Sequence, residues 1–134
     1  MQSLACTSNR ERMKSMAVNS RQKGARFERT LAAKLREYGY NCRRGQQYCG
    51  ANGDADVVGL PFVHVEAKAQ ERMQLYDWIE QAKRDAKNGE LPVVFHKKNH
   101  CEILASMPFD VFMEIYREYE AGRGRVNEEH NENV

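Results

Sequence analysis

Apolar residues recur at helical and strand spacing in successive blocks between residues 20 and 120. One stripe predicts a first helix that begins at Ser20 and ends before Gly39; its members are Phe27, Leu31, Leu35 and Tyr38. Short apolar runs predict strands over residues 40–44 and on both sides of a turn at 59–61. A helix over 71–88, strands over 91–95 and 101–105, and a last helix after Pro108 follow. The order α-β-β-β-α-β-β-α predicts an α/β fold with a mixed sheet flanked by helices.

The two ends of the chain are polar. We therefore expect a flexible arm over residues 1–19, one domain over 20–120 and a disordered tail over 121–134. The sequence has neither a long apolar run nor an apolar leader, which predicts a cytoplasmic protein that does not contact membranes. The last helix carries apolar residues that form either core or, if exposed, a dimer surface: Phe109, Phe112, Ile115, Tyr116 and Tyr119.

Two carboxylates and a lysine flank the turn at residues 59–61. A turn centred at position 61 places Asp56 opposite Glu66, and such cross-strand partners share a face about 5 Å apart. Side chains alternate along a strand, so Lys68 projects on the same side as Glu66. Carboxylates this close repel each other unless a cation lies between them, and oxygen ligands suit Mg²⁺ or Mn²⁺. The hairpin therefore predicts a metal site beside a lysine.

The same residues have a simpler interpretation. Asp54 or Asp56 could pair with Lys68 on a solvated face, where such ion pairs contribute about 0–1 kcal/mol. An acidic-x-Lys triplet also arises easily by chance in a chain that is 30% charged. The hairpin alone leaves both interpretations open.

Charge is distributed unevenly along the chain. Residues 1–68 contain 12 Lys and Arg against 6 Asp and Glu, whereas residues 69–134 contain 9 against 13. The basic half holds the proposed site, as expected if phosphates approach it. The alternative is that these cations solvate an amphipathic helix.

Four cysteines occur without a CxxC pair, which predicts free thiols. Zinc binding by Cys42 and Cys49 with His64, His96 or His100 is the alternative, but the spacings match no common zinc pattern. These three histidines, His64, His96 and His100, are predicted at strand edges or turns, and none of them is assigned to catalysis.

The residues around the first helix resemble a known family. The segment Lys23 to Leu31 (KGARFERTL), a Tyr-Gly-Tyr run at 38–40 and the pair Arg43-Arg44 resemble the opening of archaeal-type Holliday-junction resolvases. These are small members of the PD-(D/E)-x-K nuclease superfamily, whose order of a helical glutamate, a basic strand, a loop and an Asp/Glu-x-Lys hairpin this chain follows over about residues 20–105. The resemblance implies a restriction-endonuclease-like core over the predicted domain.

The resemblance also implies roles for individual residues. It assigns catalysis to Glu28, Asp56, Glu66 and Lys68, and metal binding to Glu28, Asp56, Glu66 and the carbonyl of Ala67. Ala55 replaces the family's usual proline, which leaves the choice between Asp54 and Asp56 open. We expect DNA contacts from residues of the first helix, the basic strand, the following loop and the strand end, namely Lys23, Arg26, Arg29, Arg43, Arg44, Gln46, Gln47 and Gln70.

The expected activity is Mg²⁺-dependent hydrolysis of phosphodiesters in branched DNA by a homodimeric junction resolvase acting in recombination and repair, with Mn²⁺ able to replace Mg²⁺. Another PD-(D/E)-x-K nuclease, acting on flaps, single strands or in a restriction-like manner, is an alternative. A non-catalytic DNA-binding protein that retains the fold is another.

Overall fold

The structure of the protein is a computed structural model that describes residues 9–46 and 55–132. Its eight elements are α1 (Asn9–Glu37), β1 (Arg43–Arg44), β2 (Val57–Val58), β3 (Val63–Ala69), α2 (Leu75–Asp85), β4 (Leu91–Lys97), β5 (Leu104–Ser106) and α3 (Phe109–Glu132). The strands form one sheet in the order β1-β2-β3-β4-β5. The predicted element order and mixed α/β fold are confirmed.

The sheet is mixed because α2 connects two of its strands. β3 and β4 are parallel, whereas the three other pairs are antiparallel. Parallel neighbours need a crossover connection, and α2 provides it. β3 is consequently the central strand, and four successive residues within it are buried.

Helices cover both faces of the sheet. On one face, Phe27 and Leu31 of α1 pack in a cluster with Val57 and Val65. On the other face, Trp78 of α2 packs with Val94. Trp78 is therefore a packing residue, and the alternation of β3 separates a core face beneath α1 from a face beneath α2.

Several predicted boundaries are wrong. α1 begins at Asn9 rather than Ser20, because residues 10–18 are mostly good helix formers without glycine or proline. α2 is shorter than predicted, since Glu71 accepts a hydrogen bond from the Asn99 main chain instead of opening a helix. α3 continues to Glu132, although the polar composition predicted disorder from Ala121. The division into a domain with flexible ends stays a prediction.

Two further predictions, which concern the burial of side chains, are wrong. Tyr38, predicted in the buried stripe of α1, is 83% exposed because it lies in the turn after the helix. His64 and His96, predicted at strand edges or turns, are buried within β3 and β4. In the described part of the chain, no helix is long and apolar enough to span a bilayer.

Candidate active site

The β2–β3 hairpin has the predicted register. Val57 pairs with Val65, so Asp56 lies opposite Glu66, and the turn occupies residues 60–62. The hairpin packs tightly against the segment before β1: a Cβ on Gly59 would lie 2.2 Å from the Asn41 carbonyl oxygen, and the φ of Gly59 is +103°. Only glycine fits this position without strain. The local sequence therefore fixes which two carboxylates meet.

Asp56 is held by the main chain of the neighbouring strand. The Ala67 N–H donates a 2.9 Å hydrogen bond to Oδ2 of Asp56, whose side chain is buried. Burial first, then the charge of Glu66 and, to a smaller extent, the charge of Glu28 raise the pKa of Asp56 to about 7, although the hydrogen bond from Ala67 N–H lowers it. The pKa is far above the ordinary range of an aspartate, as expected for two close carboxyl groups. A bound cation would relieve this repulsion.

Glu66 is almost completely buried behind Asp56, with 1% of its surface exposed. His64 Nε2 lies 2.8 Å from Oε1 of Glu66. Oε2 is also buried, and no hydrogen-bond donor among the described residues reaches it. An ionised carboxylate oxygen without a donor is costly in the interior of a protein. Oε2 of Glu66, together with the neighbouring carboxyl group of Asp56, therefore fits a hard divalent cation such as Mg²⁺.

Glu28 lines the same cavity as Asp56, but its carboxylate is paired with a basic side chain of the protein. It is buried on α1 and forms an ion pair with Arg44 of β1, with Nε and Oε2 2.5 Å apart. Within residues 9–46 and 55–132, no group of three or more His, Cys, Asp or Glu side chains is arranged to hold a metal. The metal role predicted for Glu28 consequently requires Arg44 to release it.

A cavity of about 770 Å³ opens over the site. Glu28, Asp56, Ala67 and Lys68 line it, whereas Glu66 is buried and does not line it. Further lining residues come from α1, from the segment after β3 and from α2: Ser20, Lys23, Gly24, Ala69, Gln70, Glu71, Arg72 and Gln81. Three of the four residues predicted for catalysis therefore line the cavity, and the fourth, Glu66, lies opposite Asp56 on the neighbouring strand.

Lys68 is oriented by α2. Its Nζ donates a 3.0 Å hydrogen bond to Oε1 of Gln81. The sequence analysis did not single out Gln81, although it precedes the buried Ala82 and follows Trp78 by three residues, which places it at the edge of the buried stripe of α2. It considered His64 only as a possible zinc ligand, although strand alternation places His64 on the same face as Glu66.

The predicted DNA-contacting residues lie partly in the wall of the cavity and partly on the surface around it. Lys23 and Gln70 line the cavity, and Lys23 pairs with Glu71 at 3.7 Å. The others that can be placed are exposed on α1 and around β1, namely Arg26, Arg29, Arg43, Arg44 and Gln46. Gln47 and the alternative ligand Asp54 lie outside the described residues.

The predicted free thiols are confirmed for Cys42 and Cys101. Cys42 is buried in the core and Cys101 is exposed. Cys6 and Cys49 lie outside the described residues. The described cysteines and histidines form no metal-binding cluster, so nothing in this part of the chain supports a zinc site.

Comparisons with known proteins agree with the predicted family. A family model described as phage putative PDDEXK endonuclease matches residues 19–133. Among solved structures, the chain is similar to Hjc, a Holliday junction resolvase from the archaeal hyperthermophile Archaeoglobus fulgidus, with 26% sequence identity and a TM-score of 0.49. The match covers 68% of this chain and 75% of Hjc. No curated protein matches the chain.

Proposed function

Because the chain belongs to the family of phage putative PDDEXK endonucleases and is a nuclease of the PD-(D/E)-x-K type, we propose that it is a Mg²⁺-dependent endonuclease that cuts branched DNA. The observation that supports this most is the meeting of Asp56 and Glu66. Two buried carboxyl groups on neighbouring strands destabilise a protein unless a cation binds between them. Their position beside an open cavity supports an active site over a purely structural role.

The proposed metal ligands are Asp56, Glu66 and the carbonyl of Ala67, with Glu28 joining them when Arg44 releases it. A divalent cation held there supplies an activated water and neutralises charge on the reacting phosphate. Mn²⁺ also prefers oxygen ligands and is expected to substitute for Mg²⁺. Lys68 Nζ, at the cavity wall, would contact the scissile phosphate or orient the attacking water. Gln81 keeps that ammonium group at the wall.

DNA would approach across α1 and β1. Exposed arginines there can neutralise phosphates without reading sequence; they are Arg26, Arg29 and Arg43. Arg44 would exchange its carboxylate partner, Glu28, for a phosphate of the substrate. This exchange would couple DNA binding to completion of the metal site.

A homodimer is proposed from α3. The helix exposes five large apolar side chains, between 40% and 76% each, at a spacing that places them along one side: Phe109, Phe112, Ile115, Tyr116 and Tyr119. A second copy of the chain that pairs with this stripe about a two-fold axis would cover the exposed apolar side chains, so a second copy is the partner that we propose for this surface.

Branched DNA is proposed as the substrate because the α1 segment Lys23 to Leu31 resembles junction resolvases, and because a two-fold dimer has two sites for paired cuts. The test compares four-way junction, flap, single-stranded and linear duplex DNA of equal length in Mg²⁺. A preference for the junction supports the proposal. Equal cleavage of every substrate would leave a general nuclease of the family, and binding of DNA without any cleavage would favour a non-catalytic protein.

The oligomeric state is measured separately by sedimentation equilibrium. The wild type is expected to have the mass of a dimer, and Ile115→Asp that of a monomer. Arg117→Asp introduces the same side chain two residues along the helix, about 200° away around its axis, and should leave the dimer intact. A monomeric wild type that cuts junction and duplex equally well would overturn the resolvase proposal.

A further inference from the structure

His64 is a buried group that the proposed reaction does not use. It lies in β3, the central strand, and its exposed fraction is 1%. By alternation it shares a face with Glu66, two residues later. Burial lowers its pKa, but the hydrogen bond and the charge of Glu66 outweigh burial, so the pKa of His64 is raised.

The contact between the two side chains involves only one of the two carboxylate oxygens of Glu66. His64 Nε2 lies 2.8 Å from Oε1, and the two side chains are 1% and 2% exposed. No described donor reaches the other oxygen, Oε2. One oxygen of the carboxylate is therefore anchored by the protein, whereas the other remains for a ligand.

The two carboxylates of the site are anchored differently. Asp56 accepts its hydrogen bond from the main-chain N–H of Ala67, a donor that every residue except proline would supply at position 67. Glu66 has a longer side chain with more rotatable bonds, and the side chain of His64 anchors it. Without that anchor the Glu66 carboxylate can rotate, and it loses its donor inside the core.

We propose that His64 is a positioning residue that fixes the Glu66 carboxylate through Oε1, so that Oε2 is presented to the divalent cation; this inference rests on the proposed metal-dependent nuclease. Outer partners of metal-binding carboxylates orient the ligand, and their loss typically costs about 10–100-fold in metal affinity. His64 does not touch the substrate in this account. Its effect passes through Glu66.

The test is calorimetric titration of metal-free protein with Mn²⁺, which reads the site without any turnover. His64→Gln places an amide N–H at about the reach of Nε2, whereas His64→Asn carries the same amide one bond shorter. We expect His64→Asn to weaken Mn²⁺ binding about 10–100-fold and His64→Gln to bind within about 3-fold of the wild type. If His64→Asn does not fold, His64→Leu replaces it with the same expected loss.

His96→Asn provides a matched control. His96 is a buried histidine on β4, and its Nε2 lies 2.8 Å from the hydroxyl oxygen of Ser106. A purely structural role for His64 predicts that both Asn variants lower the melting temperature and leave Mn²⁺ affinity unchanged. Unchanged affinity in His64→Asn, with normal binding by the wild type, would overturn the positioning role alone. Failure of the wild type to bind Mn²⁺ would instead overturn the proposed metal site, and this inference with it.

Discussion

Removing one of the paired carboxylates should abolish activity and yet stabilise the metal-free protein. Asp56→Asn keeps the size of the side chain and an oxygen that accepts from Ala67 N–H, but removes the charge that Glu66 opposes. The rise in the pKa of Asp56 from 3.8 to about 7 corresponds to about 4 kcal/mol of lost stability at pH 8. Burying the Asn amide costs roughly 1–3 kcal/mol, so the expected net gain is about 1–3 kcal/mol.

The sign of the pH dependence follows from the raised pKa. The folded state binds the Asp56 proton more tightly than the unfolded state, so the contribution of Asp56 to stability is greatest below about pH 4 and is lost as the pH rises through about 7. Asp56→Asn lacks this dependence. The gain should therefore be present at pH 8 and vanish near pH 4.

Urea unfolding followed by circular dichroism, in buffer with a chelator, measures this difference. Asp110→Asn is the matched control, because Asp110 is an exposed aspartate in the first turn of α3 and its replacement should be neutral or slightly destabilising. Added Mg²⁺ should stabilise the wild type but not Asp56→Asn. A variant that is less stable than the wild type at pH 8, or a gain that persists unchanged at pH 4, would refute the reasoning.

Three other substitutions test the surroundings of the site. Gly59→Ala should lower the free energy of unfolding by about 2 kcal/mol, because Gly59 has a positive φ and lies against the Asn41 carbonyl. Gly124→Ala, at an open helical position, should raise the free energy of unfolding by about 0.5–1 kcal/mol. Equal effects of the two substitutions in urea unfolding would contradict this. Gln81→Met should slow cleavage about 10-fold by releasing Lys68, with unchanged DNA affinity in fluorescence anisotropy, and a normal rate would show that the hydrogen bond is incidental. Glu28→Gln should raise the Mg²⁺ concentration for half-maximal cleavage about 10-fold at an unchanged melting temperature, and an unaltered Mg²⁺ requirement would remove Glu28 from the metal site.

The hairpin could be predicted correctly from the sequence because its register depends only on neighbouring residues. A single turn at 60–62 determines the register, and the register alone places Asp56 opposite Glu66. Alternation along β3 then orients Lys68. These relations depend on a few neighbouring residues, so no knowledge of the rest of the fold was needed.

Contacts between distant elements were not predictable in the same way. The Arg44–Glu28 ion pair joins α1 to β1, and the Lys68–Gln81 hydrogen bond depends on how α2 crosses the sheet. The burial of His64 follows from the central place of β3, which no local pattern revealed. The extent of α1 and α3 was underestimated because polar composition was interpreted as disorder. Residues 10–18 of α1 are mostly good helix formers, whereas α3 continues through Gly122 and Gly124, which local propensity does not predict.

Cleavage of DNA by the wild type and by Glu66→Gln, in Mg²⁺ and in a chelator, tests the central claim most directly. Glu102→Gln, at an exposed glutamate, is the control. We predict Mg²⁺-dependent cleavage by the wild type and the control, and none by Glu66→Gln, whose DNA binding persists or tightens because a repulsion toward phosphate is lost. Cleavage by Glu66→Gln at the wild-type rate would contradict the assignment of the active site to Asp56, Glu66 and Lys68.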